Sequence, residues 1–320
     1  MKQRITAVLA LLLLAACASP DAGPTAVPNQ DSQVSASVSG SSELNTPWNA
    51  KVHHIRGWNN AAGQAGFASR RSPQMTYHGG KILPISITRT IFWGTSWASY
   101  TGDKITGMDT FYSGWGGTPI ARTNIEYTGT NGTVGSSSTY AGHVVDASTA
   151  SGGANTSTIL AEVCKVIANN GIAVDPSGND YLAVYTDVPR GSAGYCAYHS
   201  AGTCGGKEVQ FAFFWKLDGD SGCDPGDTSG LHSQGLAAIA NVSAHELSEA
   251  VTDPANPGAW YDASGNENSD KCSWVFNTTS LQTFNNGSKF TVQGNWSNRA
   301  YTAGTGYANS SGQKGCLNQF

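Results

Sequence analysis

The chain has 320 residues, 18 of them basic and 22 acidic, which gives a formal net charge of -4. Binding to nucleic acid requires a concentrated positive surface, and the longest basic run here is the pair Arg70 and Arg71, so the composition argues against such a partner. The charged fraction of 12% and the 39 glycines are instead typical of loop-rich extracellular proteins.

The first residues have the pattern of an export signal. Lys2 and Arg4 precede an apolar run at residues 7–14, which is followed by two alanines and Cys17. This pattern predicts a bacterial lipoprotein signal at residues 1–17 with a lipid on Cys17; an ordinary signal peptide is the alternative. The run is too short to span a bilayer permanently. We therefore expect an extracytoplasmic protein that is anchored to a bacterial membrane by its lipid, or secreted.

Residues 18–50 are rich in Ser, Ala, Pro, Gln and Asp and have no aromatic residue before Trp48. Such a segment offers too little apolar surface to offset the entropy of the chain. It is predicted to be a disordered linker, and residues 51–320 are predicted to form one globular domain.

Six cysteines follow Cys17, an even number that predicts three disulfides in an oxidising compartment. The expected pairs are Cys196–Cys204, which flank a short glycine-containing segment, Cys272–Cys316 and Cys164–Cys223.

Hydrophobic periodicity predicts strands and helices in alternation. Apolar residues recur at every second position in residues 85–93 and 209–215, with a shorter strand pattern at residues 181–185. Helical patterns occupy residues 104–112, 156–168 and 236–252. The expected fold is α+β, with a mixed sheet packed by a few helices, similar to the zincins.

The last of these helices carries the sequence His-Glu-Leu-Ser-Glu at residues 245–249. His245 and Glu249 lie one turn apart on one side of the helix, so both side chains can reach one metal ion. In the zincin motif, two helical ligands hold zinc and the intervening Glu, here Glu246, takes a proton from water. Glu249 stands where the usual motif has a second His. The alternative interpretation is an amphipathic helix with solvated polar residues.

A third ligand is expected from the acidic loop after the helix. Glu267 is the first candidate, and Asp270 and Asp262 are alternatives, with a disulfide at Cys272 holding the loop in place. Asp253 stands about 12 Å along the helix axis from His245, too far for direct ligation. Asp253 is therefore expected to end the helix or to orient a ligand from outside the coordination sphere.

The zincin motif favours zinc, and the oxygen-rich ligand set of one imidazole and two carboxylates makes manganese or calcium alternatives. Calcium would indicate a structural site without hydrolysis. Trp260 and Tyr261, which precede the acidic loop, are candidates for lining a substrate cleft. Four other histidines stand alone in the sequence and are typical of structural hydrogen bonding, namely His78, His143, His199 and His232.

Several segments resemble, in the same order, the phosphate-induced protein family, also called EXORDIUM-like. They are residues 75–83 (MTYHGGKIL), 91–94 (IFWG), 181–188 with Tyr195-Cys196 and Cys204-Gly205, and 241–254. Plant members are extracellular, cell-wall-associated proteins linked to growth responses, without an established enzymatic activity. The resemblance therefore implies a non-catalytic envelope module that binds glycan or a protein partner, with at most a structural calcium site.

Two functions follow from these patterns. The first is a metal-dependent peptidase in which His245, Glu249 and a loop carboxylate hold the metal and Glu246 acts as the general base on a peptide or protein substrate. The second is the non-catalytic envelope module.

Overall fold

The computed structural model describes residues 73–255 and 257–320, together with the backbone of residues 53–56. These residues belong to one unit, Ala36–Phe320. The predicted signal with Cys17 and the predicted linker at residues 18–50 lie outside the described residues. Within the part that is described, no helix is both long and apolar enough to cross a membrane.

Strands and helices alternate over most of the domain. The strands are β1 (His53–Arg56), β2 (Thr76–Tyr77), β3 (Ser86–Trp93), β4 (Thr128–Gly129), β5 (Gly132–Thr133), β6 (Ser138–Asp146), β7 (Asp180–Pro189), β8 (Tyr195–Cys204), β9 (Lys207–Lys216), β10 (Trp260–Tyr261), β11 (Leu281–Thr283), β12 (Lys289–Thr291), β13 (Asn295–Trp296), β14 (Tyr307–Ala308) and β15 (Lys314–Leu317). The helices are α1 (Lys104–Trp115), α2 (Pro119–Arg122), α3 (Thr156–Asn169), α4 (Gln234–Thr252) and α5 (Asn298–Ala303).

One six-stranded mixed sheet organises the fold, with the strand order β1-β8-β9-β7-β3-β6. Strands β6, β3, β7 and β9 run parallel, whereas β8 is antiparallel to β9 and β1 is antiparallel to β8. The chain thus forms a mixed α+β domain, as the alternation of patterns predicted. Smaller sheets follow from the pairs β2 with β10, β4 with β5 and β11 with β12, and from the order β13-β15-β14.

Helices cover both faces of the sheet. Successive residues of a strand point to opposite faces, so His199 and Gly202 of β8 face different sides. His199 faces α4, whose Glu249 it approaches, and Gly202 faces α3, where an added Cβ would collide with Leu160. Because helices pack on both faces of the sheet, every residue of β9 from Val209 to Trp215 is buried, and buried and exposed residues do not alternate along it.

The predicted helices and strands are confirmed in type and place. The helical patterns at residues 104–112, 156–168 and 236–252 correspond to α1, α3 and α4, and the strand patterns correspond to β3, β7 and β9. These long segments have a strong periodicity, which is why local sequence suffices to find them.

The domain contains three disulfides, and two of the predicted pairings are wrong. The structure pairs Cys272 with Cys316 as expected, but it pairs Cys164 with Cys204 and Cys196 with Cys223. Cys196 and Cys204 lie near the two ends of the continuous strand β8, about 26 Å apart at the rise of a strand. A disulfide needs Cα atoms within about 7 Å, so a Cys196–Cys204 bond is excluded.

Candidate metal centre

Helix α4 has defined ends that fix its orientation over the sheet. At its start, the Ser233 hydroxyl accepts a hydrogen bond from the Leu236 N–H at 3.2 Å and donates one to Asp103 at 2.7 Å. At its end, Asp253 leaves the helical conformation before Pro254, with φ -144° and ψ 64°. Asp253 thus ends the helix, one of the two roles that its place in the sequence predicted.

Polar and apolar sides of α4 are both buried. All residues from Gly235 to Thr252 are buried, and His245, Glu246 and Glu249 have no exposed surface. The interpretation of a helix with a solvated polar side is therefore wrong. The acidic loop and the segment after it cover this side, since Ser269 and Gln293 both bond to His245.

Small residues of the sheet leave room beneath the helix. In the strand register, His199 of β8 lies level with Ala212 of β9, which lies level with Ala183 of β7. The two alanines project little from the sheet, so α4 can approach it closely. His199, the larger side chain of this row, then reaches the carboxylates of the helix.

Two histidines and four carboxylates meet at this place, and we name them the α4 cluster. Its members are His199, His245, Glu246, Glu249, Glu267 and Asp270. Five are at most 2% exposed, and the side chain of Asp270 is 16% exposed. Buried ionisable groups at such density are typical of functional sites.

One group of ligand atoms forms around His245. Its Nε2 lies 2.9 Å from Glu249 Oε1 and 3.6 Å from Asp270 Oδ1, and the ligand atoms of the three residues lie within 4.8 Å of one another. Ligands about 2.1 Å from a tetrahedral zinc ion are separated by about 3.4 Å. The spacing of the three residues is therefore close to that of ligands about one cation.

A second group of ligand atoms forms around His199. His199, Glu246 and Glu249 also offer ligand atoms within 4.8 Å of one another, and His199 Nε2 lies 3.8 Å from Glu249 Oε2. Glu267 Oε2 lies 3.0 Å from the same nitrogen. The structure thus places Glu267, the first candidate for the third ligand, beside His199, whereas Asp270 stands beside His245.

His199 is the member of the cluster that sequence reasoning missed. It is a single histidine in a strand, and its approach to α4 depends on the pairing of β8 with β9. No local pattern encodes that pairing, so no sequence signal singles out His199 from the other isolated histidines.

Asp262, the other alternative ligand, builds the acidic loop. Its Oδ1 accepts hydrogen bonds from the N–H groups of Ser264 at 2.8 Å and Asn266 at 3.1 Å, and its Oδ2 lies 2.6 Å from Lys271 Nζ. Burial alone would raise the pKa of Asp262, but the charge of Lys271 and these hydrogen bonds lower it. Asp262 therefore fixes the turn, and the Cys272–Cys316 disulfide fixes the end of the loop.

The tautomer of His245 follows from its contact with Gln293. The Gln293 carbonyl oxygen accepts from the Trp274 N–H at 3.0 Å and its amide nitrogen donates to the Ser269 carbonyl at 3.1 Å, which together set the orientation of the amide. The amide nitrogen then faces His245 Nδ1 at 2.9 Å, so the proton of a neutral imidazole lies on Nε2, towards Glu249. A cation on Nε2 requires the proton to move to Nδ1 and the Gln293 amide to turn.

Tyrosines of the sheet and of α1 lie beside the carboxylates. Burial raises the pKa of Tyr181 well above its usual value, and the charges of Glu246 and Glu249 add to this effect. The Tyr112 hydroxyl lies 2.9 Å from the Tyr185 hydroxyl, which in turn shares a hydrogen bond of 2.6 Å with the Ser243 hydroxyl of α4. These hydroxyls stay protonated at neutral pH and supply hydrogen-bond donors at the base of the helix.

The other predicted site residues lie at the end of α4. The Asp253 carboxylate accepts a hydrogen bond from the Ala259 N–H, which ties the following segment to the helix. The Trp260 indole donates to the Thr128 carbonyl at 2.6 Å, and the Tyr261 ring stacks on His78 with centroids 3.6 Å apart. Both aromatic residues are partly buried and belong to the two-stranded sheet of β2 and β10.

The fold and the site define a mixed α+β protein with a buried imidazole and carboxylate cluster. Comparison with profiles of known protein families, with curated proteins and with solved structures finds no match for this chain. The resemblance to the phosphate-induced protein family therefore stays a prediction.

Proposed function

We propose that the protein is a metal-dependent peptidase with a zincin-like helix. The observation that supports this most is that His245, Glu249 and Asp270 each offer a ligand atom within 4.8 Å of the other two. Two of these donors come from one turn of α4, and the third comes from a loop that a disulfide fixes. Such a donor set suits a divalent cation, with zinc the first choice and manganese or calcium as alternatives.

In the proposed reaction, the residues of α4, the acidic loop and β10 have different roles. His245, Glu249 and Asp270 would hold the cation, which supplies Lewis acidity at the carbonyl oxygen of the peptide. Glu246 would accept a proton from the attacking water and return it to the leaving amine, the role of the middle Glu in H-E-x-x-H helices. Trp260 and Tyr261 are expected to contact the substrate. Because two carboxylates cancel the charge of a divalent cation, we expect slower turnover than at a site richer in histidine.

The burial of the cluster favours a second candidate function, the non-catalytic envelope module. Structural metal sites are closed, whereas catalytic sites keep a position open to substrate. His245, Glu246 and Glu249 have no exposed surface, which suits a closed site that stabilises the fold with calcium. In this account the protein binds glycan or a protein partner through another surface.

One experiment separates the two functions. The full chain is purified without chelator, its metal content is measured, and turnover of a mixed fluorogenic peptide library is compared for wild type, Glu246→Gln and the control Glu162→Gln, a buried glutamate of α3. Loss of the general base should lower turnover by about 10²- to 10⁴-fold in Glu246→Gln alone. Equal turnover in Glu246→Gln removes the catalytic role, and bound calcium without turnover favours the module.

The three disulfides are typical of an oxidising, extracytoplasmic location. The membrane anchor through a lipid on Cys17 is the finer proposal, based on the signal pattern alone. Detergent phase partitioning of wild type and Cys17→Ser tests it. Wild type is expected in the detergent phase and Cys17→Ser in the aqueous phase, and equal partitioning would contradict the anchor.

A further inference from the structure

The two oxygens of the Glu249 carboxylate face two different imidazoles. Oε1 lies 2.9 Å from His245 Nε2, and Oε2 lies 3.8 Å from His199 Nε2. We propose that Glu249 bridges two divalent cations, one held with His245 and Asp270 and the other with His199 and Glu246. This inference rests on the proposed metal function and extends it to a second position.

The distances around His199 suit a cation. Two ligands of one cation at about 2.1 Å are separated by at most about 4.2 Å, so the 3.8 Å between His199 Nε2 and Glu249 Oε2 leaves room for an ion between them. Glu246 offers an oxygen within 4.8 Å of a ligand atom of His199 and of one of Glu249, a spacing that a small side-chain movement brings into range. His199 is the only imidazole of this group, and it lies on the antiparallel strand β8, separate from the helix.

A bridging carboxylate also explains why two groups of ligands share one residue. Paired cations in proteins stand about 3.5–4 Å apart and are joined by a carboxylate whose two oxygens each bind one ion. Both groups here include Glu249, and the remaining donors differ. The two groups are thus two positions about one bridge.

Charge is consistent with two cations. Glu246, Glu249, Glu267 and Asp270 carry a formal charge of -4 when ionised, which two divalent cations match. Glu267, at 3.0 Å from His199 Nε2, can either join the second cation or hold the imidazole in place. Occupancy of the second position makes Glu246 a ligand, so its use as a general base is limited to the state with one cation.

Stoichiometry tests the bridge. The full chain is stripped with chelator, titrated with Zn²⁺ and analysed for bound metal, and a parallel sample with Mn²⁺ is examined by electron paramagnetic resonance. Wild type is expected to bind two equivalents and to give the signal of exchange-coupled Mn²⁺. His199→Ala and His245→Ala should each bind one equivalent without coupling. His143→Ala, a control whose histidine pairs with Asp109 at the surface, should keep two.

Each outcome has one meaning. One equivalent in wild type overturns the bridge but leaves the proposed metal function intact, whereas no bound metal overturns both. Two equivalents that persist in both histidine variants also overturn the assignment. Thermal unfolding of each variant checks that it folds, and His199→Gln, which keeps a polar side chain of similar size, replaces His199→Ala if the latter does not fold.

Discussion

Two acidic regions on opposite faces of the sheet, one buried and one partly exposed, differ in how their charge is balanced. At α3, Lys165 Nζ lies 2.5 Å from Glu162 Oε2 and 3.0 Å from Asp146 Oδ2, so a side chain of the protein supplies the cation. In the α4 cluster, the carboxylates meet the imidazoles of His199 and His245. Lysine is a fixed charge at neutral pH, whereas imidazole exchanges protons there and ligates metals.

The pKa values at α3 show how a region with its own cation behaves. Burial raises the pKa of Glu162 to about 7, although Lys165 acts to lower it. Burial acts in the same direction on Asp146, but hydrogen bonds from Ser148 and the contact with Lys165 lower its pKa to about 2. At α3, Lys165 thus supplies the positive charge that the carboxylates need, whereas the α4 cluster is suited to binding a cation from solution.

Removal of metal is expected to produce the largest difference between the two regions. A cation present at 1,000 times its Kd stabilises the folded state by about 4 kcal/mol, which for a domain of this size shifts Tm by about 8–16 °C. Calorimetry of wild type with zinc and after chelation should show this shift, and Glu249→Gln should show little of it. Equal Tm values for wild type in both conditions would contradict a metal centre.

Replacement of Lys165 at α3 is expected to lower the stability of the fold by less than metal removal does, and by the same amount with and without metal. Lys165→Met leaves Glu162 buried beside Asp146, and we expect a loss of about 1–3 kcal/mol, since Lys165 is partly exposed. Urea unfolding with and without zinc measures it, with Lys216→Met, an exposed lysine at the end of β9, as the control. If zinc restored the stability of Lys165→Met, or if Lys216→Met lost as much stability, the contrast between the two regions would be removed.

Gln293 provides a finer test of the α4 cluster. In Gln293→Glu, a carboxylate oxygen replaces the amide nitrogen at 2.9 Å from His245 Nδ1 and can accept its proton, which leaves Nε2 available to the cation. We expect zinc affinity, measured by competition with a chromogenic chelator, to rise by about tenfold. Gln282→Glu, another buried glutamine, should not change it. Unchanged or weaker affinity in Gln293→Glu would show that the tautomer does not limit binding.

A further test of this comparison is the pH dependence of stability at α3. The folded pKa of Glu162, about 7, lies above its unfolded value of 4.5, so the folded state binds more protons between these values. The contribution of Glu162 to stability therefore falls as pH rises from 4.5 to 7. Urea unfolding between pH 4.5 and 8 should show that Glu162→Gln lacks this fall, and parallel curves for the two proteins would exclude the raised pKa.

The sequence predicts the helix of the site well because the information is local. The spacing of His245 and Glu249 on one helical turn depends only on the period of α4. The two carboxylates of the acidic loop are harder to rank as candidates for the third ligand, because Glu267 and Asp270 lie only three residues apart. They belong to one tight turn, in which the Glu267 N–H donates to Asp270 Oδ2 at 3.2 Å. The turn directs Asp270 to His245 and Glu267 to His199.

Long-range pairings account for the rest of the differences. His199 joins the cluster through the register of β8 with β9, and Cys204 meets Cys164 because α3 packs on the face of β8 opposite to α4. The predicted pairing of Cys196 with Cys204 is wrong because the residues between them form a strand instead of a loop. Tertiary packing determines these features, and no local periodicity carries them.

Anomalous diffraction at the zinc absorption edge, from crystals of the full chain grown with zinc, tests the metal centre most directly. We expect a peak that contacts His245 Nε2, Glu249 Oε1 and an oxygen of Asp270. A peak only at surface residues, or no peak at the α4 cluster while His245 Nε2 stays about 2.9 Å from Glu249 Oε1, would contradict it.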